Sequence, residues 1–275
     1  MTVSKKILRE NNLFFKNVLF DSIPKSDNLV VFSCDDNYFK KYGIYNILSC
    51  NDTNQPVHVH LINPSLDSVL TLKAIIDKLQ IPLSWSTEYF ETSNLNFYLL
   101  KSYYYMARFY LSNYIFQHTS VTCIKIVDAD IIFNSLISFP ESVNIGITYK
   151  KQKNTAWERT AAYFLFLTSS YKNFLPKVID LYEEKIKNID FLKVEKIENK
   201  IEKANFTGLD QVCLTEILEN ECIYQNQDFL NLGSLQSFSS KGPDAKIWVL
   251  VGKTKKLLPD DYLPVKYKKY FENIQ

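Results

Sequence analysis

Glycine is scarce in this 275-residue chain, with only six residues. No GxGxxG and no GxxxxGK[ST] occurs, so the glycine-rich loops that cradle dinucleotides or NTP phosphates are excluded. Cysteine is sparse and unpaired: five residues, at 34, 50, 123, 213 and 222, include no CxxC. An odd count within apolar runs argues against a disulfide framework and for reduced, buried thiols. Charge of one sign is also lacking. The net value of +2 provides no global pull toward nucleic acid. No apolar run approaches the ~20 residues that span a bilayer, and MTVSKKILRENNLFF lacks the apolar core of a signal peptide. A cytoplasmic protein is expected. What is abundant is aromatic: 18 Tyr and 19 Phe, within a hydrophobic content of 46% that suits a large soluble core.

The run IKIVDADIIF (124–133) is the most informative segment. Ile124 to Val127 read as a buried strand, followed by Asp128 and Asp130 and then by Ile131 to Phe133. Carboxylates at the end of a buried strand cost several kcal/mol if uncompensated, on the order expected for desolvated ions. A hard divalent cation such as Mg²⁺ or Mn²⁺ would remove that cost. A strand-to-turn junction with solvated Asp residues is the alternative that the motif alone leaves open.

Hydrophobic periodicity orders the rest. Strands are expected at 28–36, 56–64 and in PLSWSTEYF, then the one ending at Asp128. Helices are expected at 38–50 (weakened by Gly43), at 65–80 behind a Ser65 cap, and at 95–116, a long apolar run free of Gly and Pro. Alternating strands and helices imply a mainly parallel sheet covered on both faces. Ligands bind such sheets beyond the carboxyl ends of the strands, where Asp35, Asp36, Asp128 and Asp130 all fall. Further on, 144–150 and 161–169 read as strands, 171–189 as a helix with Pro176 near its start, and 206–218 as a helix entered through Gly208. The Lys- and acid-rich stretch 185–203 reads as a solvated amphipathic helix. Three His residues occur, at 58, 60 and 118, and the first two fall on the second strand, where core or surface roles fit better than metal ligation.

Four motifs in order now carry a resemblance: VVFSCDDNY (30–38), ARFYL (107–111), IVDADIIF and GLDQVCL (208–214). Over roughly residues 28–250 the chain resembles the retaining nucleotide-sugar glycosyltransferases of family 8, and within them most closely the bacterial lipopolysaccharide galactosyl- and glucosyltransferases. The resemblance implies an α/β chain of GT-A fold, with one Rossmann-like, mainly parallel twisted sheet flanked by helices. It implies an N-terminal extension (1–27), a catalytic domain (28–250) and a basic, aromatic tail (251–275). It also implies transfer of a hexose from a UDP-sugar to a hydroxyl of a glycan or lipid-linked acceptor, in a surface-glycan pathway.

The site residues follow from the resemblance. Asp35, Asn37 and Tyr38 would hold the uridine. These residue types suit an imide and a flat base, although a capped strand-to-helix turn would use the same residues. Asp128 and Asp130 would bind Mn²⁺ or Mg²⁺, with Ala129 beside the nucleotide. Arg108 would sit near the metal and donor sugar, since a lone Arg on so apolar a helix needs a partner. Asp210 and Gln211 would address the sugar hydroxyls and the anomeric carbon, although Asp210 could instead cap its helix. Two departures stand out. Thr160, Ala161 and Ala162 replace the family's Asn-Ala-Gly, which leaves Thr160 as the donor-sugar contact. In FSSKGPDAKIWV (238–249) Lys246 matches a phosphate-binding position, but the family's His ligand is missing; Ser239, Asp244 or water would complete the metal shell. A nucleotide-sugar-binding protein without catalysis and a DxD phosphatase are the competing functions. The tail KTKKLLPDDYLPVKYKKYF, with six Lys among Leu, Tyr and Phe, suggests a peripheral contact at the inner face of a membrane.

Overall fold

The computed structural model describes residue 15 and residues 17–235, 238–240, 245–250 and 262–271. The chain is α/β, with an eight-stranded mixed sheet in the order β1-β4-β3-β2-β5-β8-β7-β9. The central strands are β2 (Asn28–Asp35), β3 (Val57–Ile62), β4 (Leu83–Glu88) and β5 (Cys123–Val127). They run parallel, as the alternation of strands and helices predicts. β8 (Thr160–Thr168) turns antiparallel against β5, and β7 (Ile145–Tyr149) against β8. β9 (Phe229–Asn231) then pairs parallel with β7.

Both sheet faces are covered. On one lies α1 (Ile44–Asp52), entered from Asp35 through a helical turn (Asp36–Tyr38) and a π-helical segment (Phe39–Gly43). Gly43 is needed there: a Cβ would meet Phe39 at 3.1 Å and Cys34 and Phe32 at 3.3 Å. α2 (Leu66–Ile76) begins at Ser65, whose side chain accepts from the Ser68 N–H as expected of a cap. On the other face lies α3 (Phe97–His118), packed with α4 (Phe174–Asn188) and α6 (Leu209–Asn220) in one apolar cluster. The run 185–203 is not one helix. It forms the end of α4, a short turn (Phe191–Glu195) and the start of α5 (Lys200–Thr207).

Three features depart from the sequence reading. The segment read as an N-terminal extension contributes β1 (Val18–Phe20), paired antiparallel with β4. A second sheet appears, in the order β10 (Ser239–Ser240), β11 (Ile247–Val249) and β6 (Ile131–Phe133), in which β6 pairs with β11 rather than with the main sheet. The tail folds back on the domain. Leu263 and Tyr267 are buried, Asn51 Nδ2 donates to Tyr270 Oη at 2.8 Å, and Tyr270 Oη donates to Asp52 Oδ1 at 2.5 Å. These aromatics are spent on packing, which gives the expected membrane contact no support. Among the described residues no helix is long and apolar enough to cross a membrane. His58 and His60 are fully buried on β3. His58 bonds Ser84 and Ser86, while His60 bonds Ser86 and Glu88.

Candidate functional site

The Asp128–Ala129–Asp130 turn lies where the two sheets part, and its backbone is fixed from three sides. Asp128 N–H donates to Tyr163 O of β8 at 3.0 Å, Leu250 N–H donates to Asp130 O at 3.0 Å, and Asn46 Nδ2 of α1 donates to Asp128 O at 3.3 Å. Two carboxylates are thereby presented from one short turn. Asp130 is buried (4% exposed) and accepts at 2.9 Å from Tyr38 Oη. Burial first, and then the Asp130 charge, push the Tyr38 phenol well above its ordinary value, so it remains a donor. Asp35 caps the turn below, accepting from Tyr38 N–H at 2.7 Å.

Arg108 joins the halves of the site. It projects from α3 and is 4% exposed. Nη1 donates to Asp128 Oδ1, while Nη2 donates to Asp210 Oδ2 at 3.0 Å and to Ala162 O at 3.1 Å. Burial raises the Asp210 pKa, and the Arg108 charge opposes that shift. Motifs that are 20 and 102 residues from Arg108 in sequence thus meet on one guanidinium.

Two connected chambers flank this clamp. The first, of about 460 Å³, is walled by Asp35, Tyr38 and Asp128 to Asp130 on one side and by the α3 face Phe97, Leu100, Lys101 and Tyr104 on the other. The second, of about 470 Å³, is walled by Trp157, Ala162, Tyr163, Thr207, Gly208, Asp210 and Gln211. Tyr105, Arg108 and Asp128 line both. The Gln211 amide is oriented by its surroundings. With the amide turned so that both of its ends find partners, its nitrogen donates to Thr160 O at 2.6 Å and to Trp157 O at 3.1 Å, which leaves its oxygen as the remaining acceptor.

The structure therefore gathers Asp35, Tyr38, Arg108, Asp128, Ala129, Asp130, Asp210 and Gln211 around one cleft. Thr160 lies apart: its side chain is buried, with its hydroxyl 2.7 Å from that of Thr215 on α6, and only its carbonyl reaches Gln211. Asn37 is exposed on the turn beyond Asp35 and lines neither chamber. Lys246 is exposed before β11, with its carbonyl accepting from Asn134 N–H, and also lines neither. Ser239 lies in β10, paired with Ile247, and Asp244 falls outside the described residues. Sequence reading missed the α3 wall, although Phe97, Leu100, Lys101, Tyr104, Tyr105 and Arg108 share the i, i+3, i+4 spacing of one helix face. It also missed Trp157 and Tyr163.

The donor set suits a divalent ion in part. Two carboxylates from one turn line the same chamber, and carboxylate oxygens suit Mg²⁺ or Mn²⁺. Among the described residues no group of three His, Cys, Asp or Glu side chains converges, so bound phosphate oxygens and water would have to complete the shell.

No protein-family model and no curated protein matches the sequence. Among solved structures the chain is similar to the glycosyltransferase GlyE of Streptococcus pneumoniae TIGR4, with TM-score 0.49 and 10% identity over 89% of this chain and 64% of that one. The apo form of GlyE gives TM-score 0.48 at 10% identity over the same shares. The apo structure of the bifunctional glycosyltransferase WbbM gives TM-score 0.39 and 12% identity over 59% and 35%. The chain thus spans less than two thirds of the length of these structures.

Proposed function

We propose that the protein is a metal-dependent retaining glycosyltransferase that moves a hexose from a UDP-sugar to a hydroxyl on a glycan or lipid-linked acceptor. The observation that carries this reading is the Arg108 clamp, which unites Asp128 and Asp210 at the junction of two chambers. The motif resemblance supports it independently. In this reading the first chamber takes the nucleotide. Asp35 accepts from the base, Tyr38 offers its ring, and the carboxylates lie toward the diphosphate. Asp128 and Asp130 would hold Mn²⁺ or Mg²⁺, which when bound neutralises charge on the departing diphosphate.

The second chamber then takes the sugar. Asp210, paired with Arg108, and the Gln211 amide oxygen face the positive charge that develops at the anomeric carbon. The bond from that carbon to the diphosphate oxygen breaks, the bond to the acceptor oxygen forms, and the hydroxyl proton passes to the leaving diphosphate. An amide is a poor nucleophile, so same-face displacement suits this site better than the carboxylate-bound intermediate of retaining glycosidases. The lack of a third metal-ligating side chain among the described residues favours, as a second reading, a nucleotide-sugar-binding protein without turnover.

Measurement of UDP release from a panel of UDP-hexoses, with and without Mn²⁺ or Mg²⁺, separates the two readings. UDP is expected to raise the Tm only with metal present, by the equivalent of about 2.7 kcal/mol at a hundredfold excess over Kd. Equal shifts for Asp128→Asn and wild type would overturn the metal role, and metal-dependent binding without sugar release would leave the second reading.

A further inference from the structure

The first chamber holds one cation that the reading above leaves unused. Five charged side chains among the described residues line it: Asp35, Asp128, Asp130, Arg108 and Lys101. Arg108 is spent, with Nη1 on Asp128 and Nη2 on Asp210 and Ala162 O. Lys101 has no carboxylate partner among the described residues, although three carboxylates share its chamber. Its ammonium lies instead over the Tyr105 ring, 5.9 Å from the centroid. That ring lines both chambers, and the Asp210 and Asp128 charges both act on it, helping burial push its phenol up to about 12.

Lys101 and Arg108 are seven residues apart on one helix face, which separates their Cα atoms by about 10 Å along the axis. Lys101 leans toward Tyr105, one turn nearer to Arg108. Its ammonium therefore shares the chamber with the Asp128–Asp130 turn, from the opposite wall. The carboxylates there would repel an incoming polyanion, and among the described residues lining the chamber Lys101 is the cation without a carboxylate partner to offset that repulsion.

We propose that Lys101 pairs with the diphosphate of the bound nucleotide, moving from the Tyr105 ring onto the phosphate oxygens and so countering the charge of the leaving group. This inference rests on the nucleotide-sugar reading. It also gives a role to a residue that no motif singled out and that differs from Lys246, which lines neither chamber.

The test compares uridine, UMP and UDP binding by calorimetry, in Mg²⁺, for wild type, Lys101→Met and Lys101→Arg. Met keeps the aliphatic stem and removes the charge. UDP affinity is expected to fall about tenfold in Lys101→Met, as for loss of a hydrogen bond to a charged group. UMP should lose less, uridine should be unchanged, and Lys101→Arg should recover most of the UDP affinity. Equal losses for uridine and UDP would show that Lys101 acts by packing, and unchanged UDP affinity in Lys101→Met would remove its role; either result overturns the inference alone. Failure of the wild type to prefer UDP over uridine would overturn the nucleotide-sugar reading itself.

Discussion

At the scale of single residues, the strongest constraints are buried charges and the partners they require. Arg108, 4% exposed, is held by two carboxylates and a carbonyl, and its partner Asp210 is equally buried. Removing one partner of such a network leaves uncompensated buried charge, which costs about 3–5 kcal/mol. Arg108→Met is therefore expected to lower unfolding stability by that amount in urea, and Arg108→Met/Asp210→Leu to lower it less than the sum of the singles. Additive losses would show that the two side chains are not coupled. Lys125 is a second case. It is 2% exposed, with Nζ donating to Gln55 Oε1 at 3.1 Å, and burial pushes its pKa down from 10.5 to about 8. Between those values the unfolded chain binds the proton more tightly, so stability rises with pH there. The cost of the charged lysine is fully present below pH 8 and is relieved as pH approaches 10.5. The stability advantage of Lys125→Met over wild type is expected to shrink by up to about 3 kcal/mol between pH 7 and 10.5. A pH-independent difference would contradict this burial.

At the scale of elements, α3 has most to do with the site. Its 22 residues contain no Gly or Pro, one face fills the core between the sheet and α4, and the other forms the cleft wall. Asn96 starts it, with Oδ1 accepting from Tyr98 N–H at 2.9 Å and Nδ2 donating to Glu195 at 2.5 Å. Loss of such a cap costs about 1 kcal/mol. Asn96→Ala is expected to destabilise by that order, and Asn96→Ser to recover part of the loss because its hydroxyl can still cap the Tyr98 N–H, as read from thermal melts. An Ala variant equal to wild type would mean that the first turn contributes nothing to holding Phe97 and Lys101. The helix was legible because an unbroken apolar run of this length has no other stable form in such a pattern. Its cleft-facing side was not, because Phe97, Leu100 and Tyr104 carry the same apolar signature whether they meet the core or a ligand.

At the scale of the whole molecule, the parallel centre of the sheet brings Asp35 and Asp128 to the same edge, since β2 and β5 are neighbours with matching direction. The crossing of β6 into the second sheet then places the Asp128–Asp130 turn between the two sheets, on the chamber wall. β1 and the docked helical tail close the outer flanks, and both come from segments that seemed peripheral in sequence. Their pairing depends on partners dozens to hundreds of residues away, Val18 with Glu88 and Asn51 with Tyr270. Local pattern carries no record of such contacts.

Local pattern alone set the α/β alternation, the strand ends where the acids fall, the capped start of α2, and the need of Arg108 for a charged partner. Each follows from local rules: side-chain period, turn chemistry and the cost of burying an ion. Only the packed fold settled which carboxylates Arg108 would take, that Thr160 turns its hydroxyl to Thr215 while Gln211 uses its carbonyl, and that Lys101 stands in the cleft with no carboxylate partner among the described residues. Those outcomes depend on strand order and helix rotation, which bring together groups as far apart as residues 108 and 210. Spacing along the chain sets which face a side chain occupies, and only the packed fold sets what that face meets.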